Sequence, residues 1–151
     1  MSRSGYTDDY NDEGTGGLWR GAVAAAIKGK RGQALLIEMK AAFEAMPVKE
    51  LVDNEMEAEG SFCSLGVVGH QRGMNMSMMH PEIGRHFVAK SFGIADAMAA
   101  EIMFENDEGY HVPWNSALPR EETPAHRWSR MHAWVTAQIK KPGTEEKNNG
   151  L

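Results

Sequence analysis

Apolar residues recur at helical spacing near the beginning of the chain. In the stretch LWRGAVAAAIKGK they fall at positions i, i+1, i+4, i+5, i+8 and i+9 counted from Leu18, which places them on one stripe of an α-helix. A second stripe lies in QALLIEMKAAFEAMP, and Pro47 ends it because the residue before a proline is biased away from the α conformation. The short link KGKRG favours two antiparallel helices, and a single kinked helix stays open.

Further helix signals follow in the second half of the chain. The stretches IGRHFVAK and FGIADAMAAEIMFEN have helical patterns. Thr123 followed by Pro124 predicts the N-cap and the first residue of a last helix. The methionine-rich residues 74–79 are expected to form a loop, and their role, either filling the core or forming an adaptable surface, stays open.

Residues 48–59, VKELVDNEMEAE, fit two different periods. Val48, Leu51 and Val52 allow a helix, whereas the alternation of acidic with other residues from 52 to 59 has the period of a strand. We favour a helix because the rest of the chain offers no sheet to join, with a small hairpin near 52–64 as the alternative. The predicted fold is therefore all-α, a compact helical domain of four to six helices around one core.

Composition sets the domain organisation. The chain has 151 residues, of which 42% are hydrophobic and 25% charged, as expected for one globular domain. Residues 1–16 are polar and acidic with few apolar side chains, so we expect a flexible arm, then a helical domain over 17–140 and a disordered tail over 141–151. The lone Cys63, the polar beginning and the absence of a long apolar run predict a cytoplasmic protein without a membrane span.

The stretch VAKSFGIADAMAAEI (residues 88–102) resembles the middle of a helix-turn-helix. It would have a first helix at 85–91, a turn centred on Gly93 and a recognition helix at 95–104. The candidate groove-facing residues are Asp96, Ala99, Ala100 and Glu101, which supply no basic group for phosphates or base edges. With a net charge of −5, the chain is not expected to bind nucleic acid, and a small DNA-binding transcriptional regulator is the alternative function.

The sequence offers weak support for catalysis or for a cofactor. Its six histidines form no H-E-x-x-H motif and no zinc spacing with Cys63, so no metal is expected. No nucleophile, base and orienting group can be assembled from spacing, so we expect a non-enzymatic protein without a cofactor. One basic cluster, near the end of the first helix, either complements the helix dipole or contacts an anion: Arg20, Lys28, Lys30 and Arg31.

Two acidic regions are candidates for partner binding. The first is the run at 53–59, which we interpret as a solvated face, although on a strand its carboxylates could imitate phosphates. The second is favoured because it combines carboxylates, which steer encounter, with aromatic anchors, which hold a complex. The predicted partner-binding residues there are Glu101, Phe104, Glu105, Asp107, Glu108, Tyr110 and Trp114.

Four blocks of the chain carry a resemblance to a known group. They are SRSGYTDD, WRGAVAAAIKGKRGQALL, FGIADAMAAEIMFENDE and ETPAHRW, in this order over nearly the whole length. They resemble a group of small, uncharacterised proteins of tailed bacteriophages and prophages. The resemblance implies a phage-encoded accessory protein acting in the host bacterial cytoplasm, and it carries over no catalytic residues.

Together these features predict a function in binding. We expect a non-enzymatic phage accessory protein that binds a host or phage protein through an acidic, helix-built surface. Inhibition of a host defence or of a nucleic-acid enzyme would be one reason for such binding. The partner's identity and the oligomeric state stay open.

Overall fold

The computed structural model describes residues 2–6, 16–79 and 84–141. Within these residues it contains six α-helices and one two-stranded antiparallel hairpin, which confirms the all-α prediction. In chain order the elements are α1 (Gly16–Lys28), α2 (Lys30–Ala45), β1 (Glu57–Ala58), β2 (Ser61–Phe62), α3 (Ser64–Gln71), α4 (Arg85–Phe92), α5 (Asp96–Glu108) and α6 (Pro124–Gln138), with a 3₁₀ helix at Met76–Met78. None of the described helices is long and apolar enough to cross a membrane.

Helix α5 lies at the centre of the domain. It contacts α1, α3, α4 and α6, and its side chains are buried on almost every side from Ala97 to Met103. Around it, α2 packs against α3 and runs antiparallel to α6, since Gln33 bonds to the carbonyl of Gln138 while Phe43 meets Trp128. A helix that is apolar all round is buried in the core, and residues 97–103 fit this rule except for Glu101.

Two glycines set the helix junctions. A Cβ at Gly32 would lie 2.0 Å from the carbonyl oxygen of Ala26, so only glycine lets α1 and α2 meet at their short link. Gly93 adopts a left-handed conformation with φ of 72° and ends α4. The expected corner between two helices is therefore present, and Thr123 caps α6 by accepting a hydrogen bond from the His126 amide at 3.1 Å.

The preference for a helix over 48–59 is wrong, and the hairpin alternative is right. β1 pairs with β2, with Glu57 opposite Phe62, across a turn at Glu59 and Gly60, which have φ of 51° and 84°. The backbone amides just before the hairpin form hydrogen bonds with residues farther along the chain. The Leu51 amide donates to Pro124 O at 3.1 Å, and the Val52 amide donates to Phe62 O at 3.0 Å. These non-local partners replace the hydrogen bonds that a helix would have made.

The expectation of a flexible arm over 1–16 needs correction for its first part. Residues 2–6, which we call the 2–6 segment, lie against the helical domain, with Ser4 fully buried and the Arg3 side chain only 6% exposed. Helix α1 already begins at Gly16. Residues 1 and 7–15 of the predicted arm and 142–151 of the predicted tail lie outside the described residues.

Candidate functional site

Glu101, in the middle of α5, is enclosed in the domain. Its two carboxylate oxygens accept hydrogen bonds from both terminal nitrogens of Arg20 on α1, each at 2.8 Å, and the Tyr6 hydroxyl donates a third at 2.9 Å. Glu101 is only 5% exposed. A bidentate pair between carboxylate and guanidinium is among the strongest polar contacts in proteins. Glu101 therefore joins α5 to α1, and its carboxylate is not presented to a partner.

Asp107 occupies a second internal site near the end of α5. Arg3 donates to it through Nε at 2.6 Å and Nη2 at 2.9 Å, and the Asn54 amide donates at 3.0 Å. The exposed fractions of the Arg3 and Asp107 side chains are 6% and 2%. Burial would lower the pKa of Arg3, but the neighbouring Cys63 and Asp107 raise it above the ordinary value. This buried pair ties the 2–6 segment to the helical domain.

Tyr6 packs beside the first of these ion pairs, Arg20–Glu101. Its ring centroid lies 5.0 Å from that of Phe104 and 6.1 Å from that of Trp19, which it meets edge-on. Its hydroxyl accepts from the Trp19 indole at 2.9 Å while donating to Glu101. Burial and the nearby Glu101 carboxylate raise the pKa of Tyr6 to about 12, so the phenol stays neutral at physiological pH.

The predicted acidic surface on α5 is therefore not formed as expected. Glu101 and Asp107 are internal, and Phe104 is half-buried against Tyr6. Glu105 is half-buried as well, and burial together with the charge of Glu101 raises its pKa. Only Glu108 among the four carboxylates is exposed, and it accepts a hydrogen bond from the Ser2 hydroxyl at 2.6 Å. The physical reason is that Arg3 and Arg20, which are distant in sequence, form ion pairs with the buried carboxylates of Asp107 and Glu101.

The remaining predicted partner residues, Tyr110 and Trp114, lie on the connection between α5 and α6. We call residues 109–123 the α5–α6 loop. Trp114 is 83% exposed, and Leu118 on the same loop is 61% exposed. A connection of more than about 12 residues without helix or strand is uncommon unless it has a function. Leu118 was missed by the sequence interpretation, although two prolines nearby mark a loop that can present it.

Hydrogen bonds within the α5–α6 loop fix its backbone. The Arg120 guanidinium donates to the carbonyl oxygens of Val112, at 3.5 Å, and of Trp114. The Tyr110 hydroxyl donates to Pro119 O at 2.9 Å across the loop. The indole is thus presented by a backbone that is already organised, which reduces the conformational entropy that binding would cost.

Glu122 anchors the end of this loop to both neighbouring helices. Arg130 of α6 donates to it through Nε at 2.7 Å and Nη2 at 2.8 Å, and also reaches the carbonyl oxygens of Glu105 and Asn106 at the end of α5. Burial would raise the pKa of Glu122, but the hydrogen bonds from Arg130 and His126 hold it below its usual range. A cation at the C-terminus of α5 is also favoured by the helix dipole.

A polar cleft of about 540 Å³ opens beside the loop anchor. Its walls include Asp53, Tyr110, Arg120 and Arg127. Arg127 is 6% exposed, donates to Leu51 O at 2.9 Å, and has Nη2 3.5 Å from Asp53. Within the described residues no group of histidine, cysteine, aspartate and glutamate side chains is placed to hold a metal ion.

The structure divides the predicted basic cluster into two parts. Arg20 is engaged with Glu101 and lines a cleft of about 310 Å³ together with Lys28. Lys30 and Arg31 line a different cleft of about 290 Å³ at the junction of α1 and α2. The four residues therefore do not form one anion site. The sequence suggested a single anion site because the four residues are close in sequence, but they are not gathered at one place in the fold.

Three of the four candidate groove-facing residues of the recognition helix are buried, and the fourth, Asp96, has a side chain that is 46% exposed. Ala99 and Ala100 are fully buried, and Glu101 is closed off by its ion pair with Arg20. A recognition helix must bring side chains to the base edges of the major groove. The α4–α5 corner is thus a packing element of the core.

Comparisons of the chain with protein-family models, with curated proteins and with solved structures give no match. Its fold and surface define a small helical domain whose aromatic loop is held in place by its own hydrogen bonds.

Proposed function

We propose that this protein is a non-enzymatic binding protein that recognises a protein partner through the α5–α6 loop. The observation that carries the proposal is the 83% exposure of Trp114 on a backbone fixed by Arg120 and Tyr110. Tryptophan is enriched among the few residues that supply most of the energy of protein interfaces. Leu118, also exposed, provides a second apolar contact on the same loop.

Because two carboxylates of α5 form ion pairs within the chain, we place the proposed binding surface on the α5–α6 loop and not on α5. The carboxylates of Glu101 and Asp107 are buried and already have arginine partners within the chain, so a partner that used them would have to break these ion pairs. A surface made of Trp114, Leu118 and the exposed charges around them requires no such rearrangement. Glu121, exposed on the same loop, supplies a negative charge that can steer encounter with a basic partner.

The resemblance to proteins of tailed phages supports a partner from the bacterial host or from the phage, met in the host cytoplasm. Inhibition of a host defence or of a nucleic-acid enzyme is a role that such a contact could serve. DNA regulation is not favoured, because α5 is buried along the residues that would read a groove.

The test is capture of partners from host and phage-infected lysates, followed by affinity measurement with the purified partner. We expect Trp114→Ala to raise the Kd by about 30-fold or more, the size of an interface hot spot, with an unchanged melting temperature. Leu18→Ala is the matched control, since Leu18 is 80% exposed but lies on α1. Equal affinity of the wild type and Trp114→Ala for every captured protein would exclude this loop as the binding surface.

A further inference from the structure

The 2–6 segment contacts the helical domain as a bound peptide would. Among the described residues, no backbone–backbone hydrogen bond joins it to the rest of the chain; the one that it makes links Gly5 N to Ser2 O within the segment. Side chains hold it instead, chiefly Arg3 and Tyr6, which are three residues apart. This is the pattern of a ligand with two anchors.

The first anchor site is an acidic slot at the end of α5. The Arg3 guanidinium lies there between the Asp107 carboxylate and the Cys63 sulfur, with Nη1 3.6 Å from Sγ. The planar, bidentate geometry matches arginine, because a lysine ammonium cannot make two parallel hydrogen bonds to one carboxylate. Charge and shape both select a guanidinium.

The second anchor site lies one to two helical turns earlier on α5. It is formed by Glu101, which accepts from the phenol, and by the rings of Phe104 and Trp19, which bracket the Tyr6 ring. The Arg85 guanidinium lies over the Trp19 ring, with its carbon 4.6 Å from the ring centroid. It also donates a hydrogen bond to Ser4 O at 3.0 Å. This site selects an aromatic side chain with a hydroxyl donor.

We propose that these two sites form a peptide-binding groove for a partner segment with the pattern Arg-x-x-Tyr, and that the 2–6 segment is a self-ligand occupying it. A tethered ligand competes at an effective concentration on the order of millimolar, so the groove admits a partner peptide only by displacement. The proposal is independent of Trp114, which lies on the α5–α6 loop outside the groove.

The experiment titrates a synthetic peptide of residues 2–6 (Ser-Arg-Ser-Gly-Tyr) into two full-length chains. One is Arg3→Ala/Tyr6→Ala, which lacks both anchors, and the other is the wild type. The readout is the Trp19 indole N–H resonance, because this group donates to the Tyr6 hydroxyl and reports occupancy of the groove directly. Trp19→Phe assigns the signal.

We expect saturable binding to the double variant and binding at least about tenfold weaker to the wild type, where the segment competes. Peptides with the arginine or the tyrosine replaced by alanine should bind about tenfold more weakly, as expected for loss of a charge-assisted contact. If the double variant does not fold, titration of the three peptides into the wild type still tests the proposal. Equal binding of the three peptides, or none, overturns the proposal. Concentration-dependent dimers that exchange the 2–6 segment would also overturn it and assign the groove to a second copy.

Discussion

The two acidic regions of the chain look alike in sequence and differ in their surroundings. In the run at 53–59, Asp53, Glu55 and Glu59 are exposed, and none of the glutamates there pairs with a described cation. In the run on α5, the carboxylates of Glu101 and Asp107 are enclosed, and each pairs with an arginine of another element. The number of carboxylates in each run is therefore readable from the local sequence, but which of them face solvent is not.

The difference arises from where the arginines are. Arg3 lies 104 positions from Asp107 in sequence, and Arg20 lies 81 positions from Glu101, so no local pattern connects the partners. A buried ion pair adds little net stability compared with apolar packing, but loss of one member leaves an isolated buried charge. Glu101 and Asp107 should consequently be sensitive to substitution, whereas the carboxylates at 53–59 should be tolerant.

The largest effect is expected for Asp107→Ala. This change removes the buried partner of Arg3 and the acceptor of the Asn54 amide, and with them the contacts that hold the 2–6 segment and Asn54 to the end of α5. We expect a loss of about 3–5 kcal/mol in the free energy of unfolding, measured by urea denaturation. Glu55→Ala is the matched control from the other acidic region and should change stability by less than about 0.5 kcal/mol.

Similar losses for both variants would show that the contrast between the two regions is wrong. An Arg3→Ala/Asp107→Ala double variant sharpens the test, because a coupled pair should lose less than the sum of the two single changes.

An intermediate effect is expected for Glu122→Gln at the base of the α5–α6 loop. The carboxylate accepts from Arg130 and His126, and loss of hydrogen bonds to a charged group costs about 1.5–3 kcal/mol. Because the pKa of Glu122 is lowered in the folded state, this stability is present above the unfolded pKa of about 4.3 and lost as the pH falls through the folded value. The difference between wild type and variant should therefore be large at pH 7 and shrink in acid.

Unfolding curves at neutral and acidic pH measure this dependence, with the exposed neighbour Glu121→Gln as control. A difference that stays constant with pH would mean that Glu122 acts through packing and not through its charge.

Much of the helical framework was predictable from the sequence. The helices predicted from the stripes that begin at Leu18 and Leu35, the glycine corner at Gly93 and the cap at Thr123 come from local signals, and the structure contains each of them. Leu18 itself is 80% exposed, so the first stripe locates the helix better than it locates the buried face. The hairpin was offered only as the alternative, because its backbone partners come from distant elements such as Pro124. Local periodicity specifies an element best when the element satisfies its own hydrogen bonds.

The candidate site was predictable only in part. Tyr110 and Trp114 were expected in a functional loop, and they lie in a long connection with Trp114 exposed. The docking of Arg3 and Tyr6 on α5 could not be foreseen, because a polar, glycine-containing segment carries the composition of a flexible arm. The contacts of Arg3 and Tyr6 with α5 order this segment in spite of its polar composition.

The smallest effect, and the opposite in sign, is expected for Glu105→Gln. Glu105 is half-buried near the charge of Glu101, and its pKa is raised, so its ionised form opposes folding. The wild type should lose stability as the pH rises from the unfolded pKa through the folded value, whereas the glutamine variant should not. We expect a gain of at most about 0.5 kcal/mol at pH 7, because solvent screens a half-exposed charge, and no gain near pH 4. Paired urea titrations at the two pH values measure it. A destabilised variant at pH 7 would show that Glu105 shares the internal pairing of Glu101 and Asp107, and that α5 is neutralised along its whole acidic run.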